Sequence, residues 1–192
     1  YYQSSSSIRK LSYICILVIY FTLIWQIIQG SLTASIYFQS DPRIAAAQWA
    51  KENISITANI VSEVWDIGIV PFNPQWQNQI TLLNIYEIDE PGELGEMRRQ
   101  EVSDSIDQAD VFIVLSRRIW KHSQDHPDKF PFAADFYTRL FNGELGFKKA
   151  AEFYNPPNLG FISVDSELYA EETFSVFDHP RIQIWIRDNS EI

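Results

Sequence analysis

Residues Leu11 to Ile28 read LSYICILVIYFTLIWQII, eighteen positions without one acidic or basic side chain. At about 1.5 Å per residue such a run is about 27 Å long as a helix, close to the hydrocarbon thickness of a bilayer. We read it as a membrane-spanning helix. A cleaved signal peptide is the competing reading, because Gly30 to Ser35 is small and polar enough to be cut, but the apolar core is longer than a typical signal core. Arg9 and Lys10 precede the helix and no basic residue follows it before Arg43. The positive-inside rule therefore puts the N-terminal side in the cytoplasm and the rest of the chain on the extracytoplasmic face, periplasmic or outer. The expected organisation is 1–10 as a cytoplasmic tail or upstream loop, 11–29 as the transmembrane helix, 30–40 as a linker and 41–192 as one extracytoplasmic α/β domain.

The 192 residues leave enough chain beyond the helix for one hydrophobic core. Thirteen Phe and six Trp supply it. A net charge of -10 argues against nucleic acid as a partner, since phosphate binding needs clustered Lys and Arg. Cys15 is the single cysteine and lies inside the apolar run, so the domain has no thiol for a disulfide or a zinc site. We expect no cofactor in this chain.

Asp41-Pro42-Arg43 is a helix start, with Asp placed to accept from free N–H groups and Pro at the first helical position. A helix is expected from Pro42 to about Asn53, with Ala46, Ala47, Ala50 and Ile54 on its packing face. Asn59 to Trp65 is a strand candidate, Gly68 to Gln79 a Pro-containing loop and Ile80 to Ile88 a second strand. Asp89 to Gly92 reads as a turn. Glu93 to Gln108 reads as a helix with a buried stripe of Leu94, Met97, Val102, Ile106 and Ala109.

Val111 to Leu115 is an uninterrupted apolar run, the pattern of a strand buried on both faces. A helical piece ending near His126-Pro127 and a helix from Phe132 to Asn142, stopped by Gly143, come next. Lys148 to Tyr154 and Ser175 to Phe177 read as strands, with a loop and an acidic stretch, Asp165 to Glu172, between them. The alternation in Arg181 to Arg187 suggests an edge strand with its isoleucines inward and Trp185 outward. Together these give a Rossmann-like, mostly parallel sheet with flanking helices and an antiparallel C-terminal edge.

Candidate chemistry collects at strand ends. Glu63, Trp65 and Asp66 fall at the carboxyl end of a strand, where open α/β sheets bind ligands. An acid–base pair is one reading, and a turn capped by Asp66 with Trp65 packed is the plainer one. Arg117 and Arg118 end the buried strand, suited to a phosphate or acidic headgroup or to a helix end. His122 and His126 are four apart, but the intervening sequence lacks the zincin Glu and Pro127 limits the helix, so a solvated helix end is the better reading. Gly92, Gly95, Gly143 and Gly146 fall in turns without phosphate-loop spacing, and no Gly-x-Ser-x-Gly elbow occurs.

Several segments carry a resemblance: Asp41-Pro42-Arg43 with Ala47-Gln48-Trp49, Glu63-Val64-Trp65-Asp66, Ala109 to Arg118, Phe136-Tyr137 to Phe147, and Ala170 through Asp178-His179-Pro180. The most specific are Gly143 to Phe147 and Glu171 to Pro180. They resemble the C-terminal extracytoplasmic domain of bacterial polytopic membrane glycosyltransferases related to the protein mannosyltransferases, family 39 of the GT-C class. The resemblance implies transfer of a sugar from a polyprenyl-phosphate donor. It also implies that the catalytic carboxylate and metal-linked residues lie in early loops between membrane helices that have no counterpart here.

On that reading the chain, which opens at Tyr1 rather than Met, is the last membrane helix and terminal domain of something longer. Its partners are then the bilayer, upstream membrane helices or other membrane subunits, and a lipid-linked sugar or glycan acceptor met by Glu63, Trp65 and Asp66. Asp178-His179-Pro180 is then a structural turn between two strands. The alternative is a non-catalytic single-pass accessory subunit that docks onto a larger membrane complex.

Overall fold

The structure is a computed structural model that describes residues 2–66, 68–69, 74–76, 79–165 and 170–188. Much of the expected loop from Gly68 to Gln79 and the centre of the acidic stretch, 166–169, lie outside the described residues. Two compact units emerge, one of residues 1–39 and 157–164, the other of residues 40–156 and 165–192.

In the first unit, helix α1 runs unbroken over Tyr2–Ser35 and passes into a 3-10 turn at Ile36–Phe38. Residues 30–35, expected as the start of a linker, are therefore helical. The helix is long and apolar enough to cross a membrane. Leu17, Phe21 and Ile27 are each about two-thirds exposed, so none of the described residues covers these side chains fully. Residues 157–164 form a small hairpin beside its last turn.

The second unit is a mixed α/β fold. Helix α2 (Pro42–Asn53) begins as expected, with the Asp41 carboxylate accepting from the Arg43 N–H at 2.8 Å and Pro42 in the first turn. Strands β1 (Ile60–Glu63), β2 (Ile80–Leu83), β3 (Val111–Val114), β4 (Phe147–Phe153) and β5 (Ile182–Arg187) form one sheet in the order β2-β1-β3-β5-β4. β1 is parallel to both β2 and β3, whereas β5 is antiparallel to β3 and β4. The sheet is thus parallel in one half only. Helix α3 (Glu93–Gln108) links β2 to β3, and α4 (Arg118–Asp125) and α5 (Pro131–Phe141) follow β3.

The period of two in β3 divides the core. Phe112 and Val114 join Val61, Leu83, Val102, Ile106, Tyr137, Leu140 and Trp185 on the face covered by α3 and α5. Val111, Ile113 and Leu115 join Ile60, Ile184 and the alanines of α2 on the other. Small side chains at Ala46, Ala47 and Ala50, all buried, let α2 approach the sheet closely. Trp76, from the Pro-containing loop after β1, is fully buried on this same face.

Several expectations are corrected. The second strand stops at Leu83, and Ile85–Asp89 is a 3-10 turn. Ser175–Phe177 belongs to one turn of π-helix, Phe174–Asp178, instead of a strand. β5 is interior instead of an edge, because β4 pairs along its far side, and Trp185 is buried against Phe141 instead of facing water. Leu94 and Met97 are exposed; the buried face of α3 is Gly95, Val102 and Ile106. Gly95 sits within the helix, not in a turn, and a Cβ there would fall 1.8 Å from the Glu90 carbonyl oxygen.

That close approach fixes the turn before α3, whose Asp89 carboxylate accepts from the backbone N–H groups of Phe132 and Ala133 at 2.8 and 3.0 Å. Asp89 therefore caps α5 from a distant part of the chain. Gly143, with φ of +78°, closes the turn after α5 as the sequence predicts.

Candidate functional site

β1 connects outward to β2 and β3 connects the other way, so the adjacent carboxyl ends of β1 and β3 form a topological switch point. Glu63, Trp65 and Asp66 leave β1 there, and Ser116, Arg117 and Arg118 leave β3 there. The residues singled out in the sequence are thus brought together, but they divide by depth.

Glu63 is buried. Its carboxylate accepts from the Leu115 N–H at 3.1 Å and from the Tyr137 hydroxyl of α5, joining two strands and a helix. Burial pushes the Glu63 carboxyl up to about 7, against those two hydrogen bonds, which favour its charged form. The same burial, with the neighbouring Glu63 charge, raises the Tyr137 hydroxyl well above its ordinary value. Glu63 is 2 % exposed, and its hydrogen bonds run to Leu115 and Tyr137 within the protein.

Asp66 lies nearer the surface. It accepts from the Ser116 hydroxyl and pairs with the Arg118 guanidinium at 2.9 Å. Arg118 also donates to Glu172 at 3.1 Å and lies 4.9 Å from the Phe177 ring centre. Arg117 is buried, donating through Nε to Ser175 Oγ at 2.7 Å and through Nη2 to the Ala170 carbonyl. It fastens the π-turn to the end of β3. A bound anion would compete with these partners for either guanidinium.

Trp65 differs from both. Its indole N–H donates to Asn84 Oδ1 at 3.0 Å and its ring meets Tyr86 edge-on at 6.3 Å, yet 54 % of the residue is exposed. It does not pack inward as the plainer reading has it. Burial, with the charge of Glu172, raises the Tyr86 hydroxyl above its ordinary value. The result is a half-exposed indole held by Asn84 and Tyr86, a surface able to stack on an apolar ring face.

Asp178-His179-Pro180 lies between the π-turn and β5, so it joins a helical turn to a strand. His179 is buried, donates through Nδ1 to the Phe174 carbonyl at 2.8 Å, and stacks on Tyr154 with ring centres 5.8 Å apart. Burial lowers its pKa. His122 and His126 meet edge-on at 5.3 Å, with His122 against Phe130. Among the described residues no group of three or more His, Cys, Asp or Glu is placed to hold a metal ion.

Ser116, Tyr137, Asn84, Tyr86, Glu172 and Ser175 complete the network; none of them is assigned a binding role from the sequence, though Tyr137, Glu172 and Ser175 fall in the segments that carry the resemblance. Only Ser116, directly after the buried strand, carried a positional signal. A separate open cleft of about 710 Å³ lies between the end of α5 and strands β4 and β5, with Trp120, Phe141 and Trp185 as its aromatic wall and Lys149 and Gln183 at its rim. Compared with family models, curated proteins and solved structures, the chain matches none.

Proposed function

We propose that this chain is a membrane-anchored recognition domain for a lipid-linked sugar or glycan, the C-terminal extracytoplasmic part of a polyprenyl-phosphate-dependent, family-39-like glycosyltransferase whose catalytic residues lie outside this chain. α1 is taken as the membrane span, and Arg9 and Lys10 before it support a cytoplasmic N-terminus. The parallel half of the sheet, β2-β1-β3, is the Rossmann-like element, and its carboxyl edge is the recognition surface.

The observation that carries the reading is Trp65. A large aromatic ring fixed by Asn84 and Tyr86 but left half exposed at a switch point supports stacking on a sugar face. The burial of Glu63 supports recognition over chemistry, because its carboxyl stays within the protein.

The test is binding of oligosaccharides and of a short-chain polyprenyl-phosphate sugar to the full chain in nanodiscs, followed by tryptophan fluorescence. Trp65→Ala should lose the signal and weaken affinity at least tenfold, about 1.4 kcal/mol, while Trp120→Ala leaves both unchanged. The opposite pattern would move the site to the β4–β5 cleft. Binding of neither class would favour the accessory-subunit reading, in which the same aromatic surface meets another protein.

A further inference from the structure

The hairpin at residues 157–164 is built to hold apolar side chains in the open. Asn158 and Ser163 pair as an isolated antiparallel bridge, the Leu159 N–H donates to the Ile162 carbonyl at 2.9 Å, and the Val164 N–H donates to the Pro157 carbonyl at 3.0 Å. Gly160 turns the tip with φ of +83°, a conformation that favours glycine. The Asn158 N–H donates to Ser35 Oγ at 2.7 Å, which fastens the hairpin to the last turn of α1. Yet Phe161 at the tip is 84 % exposed, and Phe38 and Tyr37, just past the helix, are 89 % and 64 % exposed.

Charge separates this surface from the rest of an acidic protein. No Asp, Glu, Lys or Arg occurs from Leu11 to Ser40 or from Phe153 to Val164. Leu11 to Ser35 is about 37 Å of helix, longer than a hydrocarbon core of about 30 Å, so its last turn falls at the far membrane interface. Aromatic side chains are favoured at that depth.

We propose that Phe161, with Phe38 and Tyr37, inserts into the headgroup and upper acyl region of the bilayer, making residues 157–164 a second membrane contact beside the end of α1. The occupant is lipid: the patch is uncharged, adjoins the span, and has backbone hydrogen bonds that hold it open rather than folded inward. The proposal rests on α1 crossing the membrane.

Cys15 as the only cysteine makes both parts testable in one chain. An environment-sensitive fluorophore is placed on native Cys15, or, in a Cys15→Ser background, on Ile162→Cys or on Ser103→Cys of α3. Each protein is reconstituted in nanodiscs whose lipids carry a nitroxide either near the headgroup or deep in the chain. The Ile162→Cys label should be quenched several-fold more by the shallow nitroxide than the Ser103→Cys label, and adding Phe161→Asp should remove most of that difference. Equal quenching at the two positions, or no effect of Phe161→Asp, overturns the proposal while quenching at Cys15 by either nitroxide leaves the span intact. Absence of quenching at Cys15 by both nitroxides overturns the span, and the second contact with it.

Discussion

Helix α1 and strand β3 are both uninterrupted apolar runs, and they meet opposite surroundings. Val111, Phe112, Ile113 and Val114 are all almost wholly buried, clasped by β1 and β5 and covered on both faces. Leu17, Phe21 and Ile27 of α1 have no such cover. Hydrophobicity alone therefore does not make a core. Length and periodicity decide whether a run is enclosed by its own chain or left for another apolar solvent.

The comparison is broken most directly by placing the same charge in each element. Ile113→Asp should abolish folding of the α/β unit, since a buried, unpaired carboxylate costs several kcal/mol, on the order of the whole stability. Leu17→Asp should leave the denaturant midpoint of that unit unchanged and instead lower membrane insertion by about 3 kcal/mol. Circular dichroism and carbonate extraction of both variants read the two outcomes. A cooperative, soluble Ile113→Asp protein would place the sheet order in error.

A subtler probe is the polar group that the sheet does bury. The Glu63 proton leaves near pH 7 in the folded chain and near 4.5, the ordinary value, in the unfolded one. Between those values the folded state binds the extra proton, so stability falls as pH rises and the loss is complete above about 7. Glu63→Gln removes the titration. Relative to the wild type it should gain about 3 kcal/mol between pH 4 and pH 8, measured by urea unfolding across that range. Parallel curves for the two proteins would show that Glu63 titrates at its ordinary value in the fold.

The smallest effect is steric. Gly95→Ala, which in an exposed helix would be neutral or favourable, should here cost about 2 kcal/mol, because the new methyl meets the Glu90 carbonyl and displaces the turn that carries Asp89. Restoration of wild-type stability in a second variant with Glu90 and Pro91 deleted would confirm where the strain lies. A thermal midpoint for Gly95→Ala equal to the wild type would show that the turn yields freely.

What was legible in the sequence was what local chemistry dictates. Asp41-Pro42 marks α2, the stretch from Glu93 to Gln108 bounds α3, Val111 to Leu115 gives β3, and Gly143 closes α5, each from signals within a few residues. What was missed depends on distant partners. β5 reads as an edge because its alternation is clean, but Trp185 has a second cover in α5 that no local pattern announces. Ile85 to Ile88 has strand residues but curls into a 3-10 turn that places Asp89 at the start of α5. The site divides the same way: Glu63, Asp66, Arg117 and Arg118 follow from their places at strand ends, while Tyr137 is drawn in only by the packing of α5.

The order of the strands sets a timetable for synthesis. β4 pairs only with β5 among the described residues, and the last residue of β4 leaves the ribosome about 30 residues before β5 does. Through that interval the nascent chain holds β3 and β4 with their shared partner missing, so two rows of backbone N–H and C=O groups stand open to mispairing. A chaperone acting on this protein would find its target there, in the short period before β5 arrives between them.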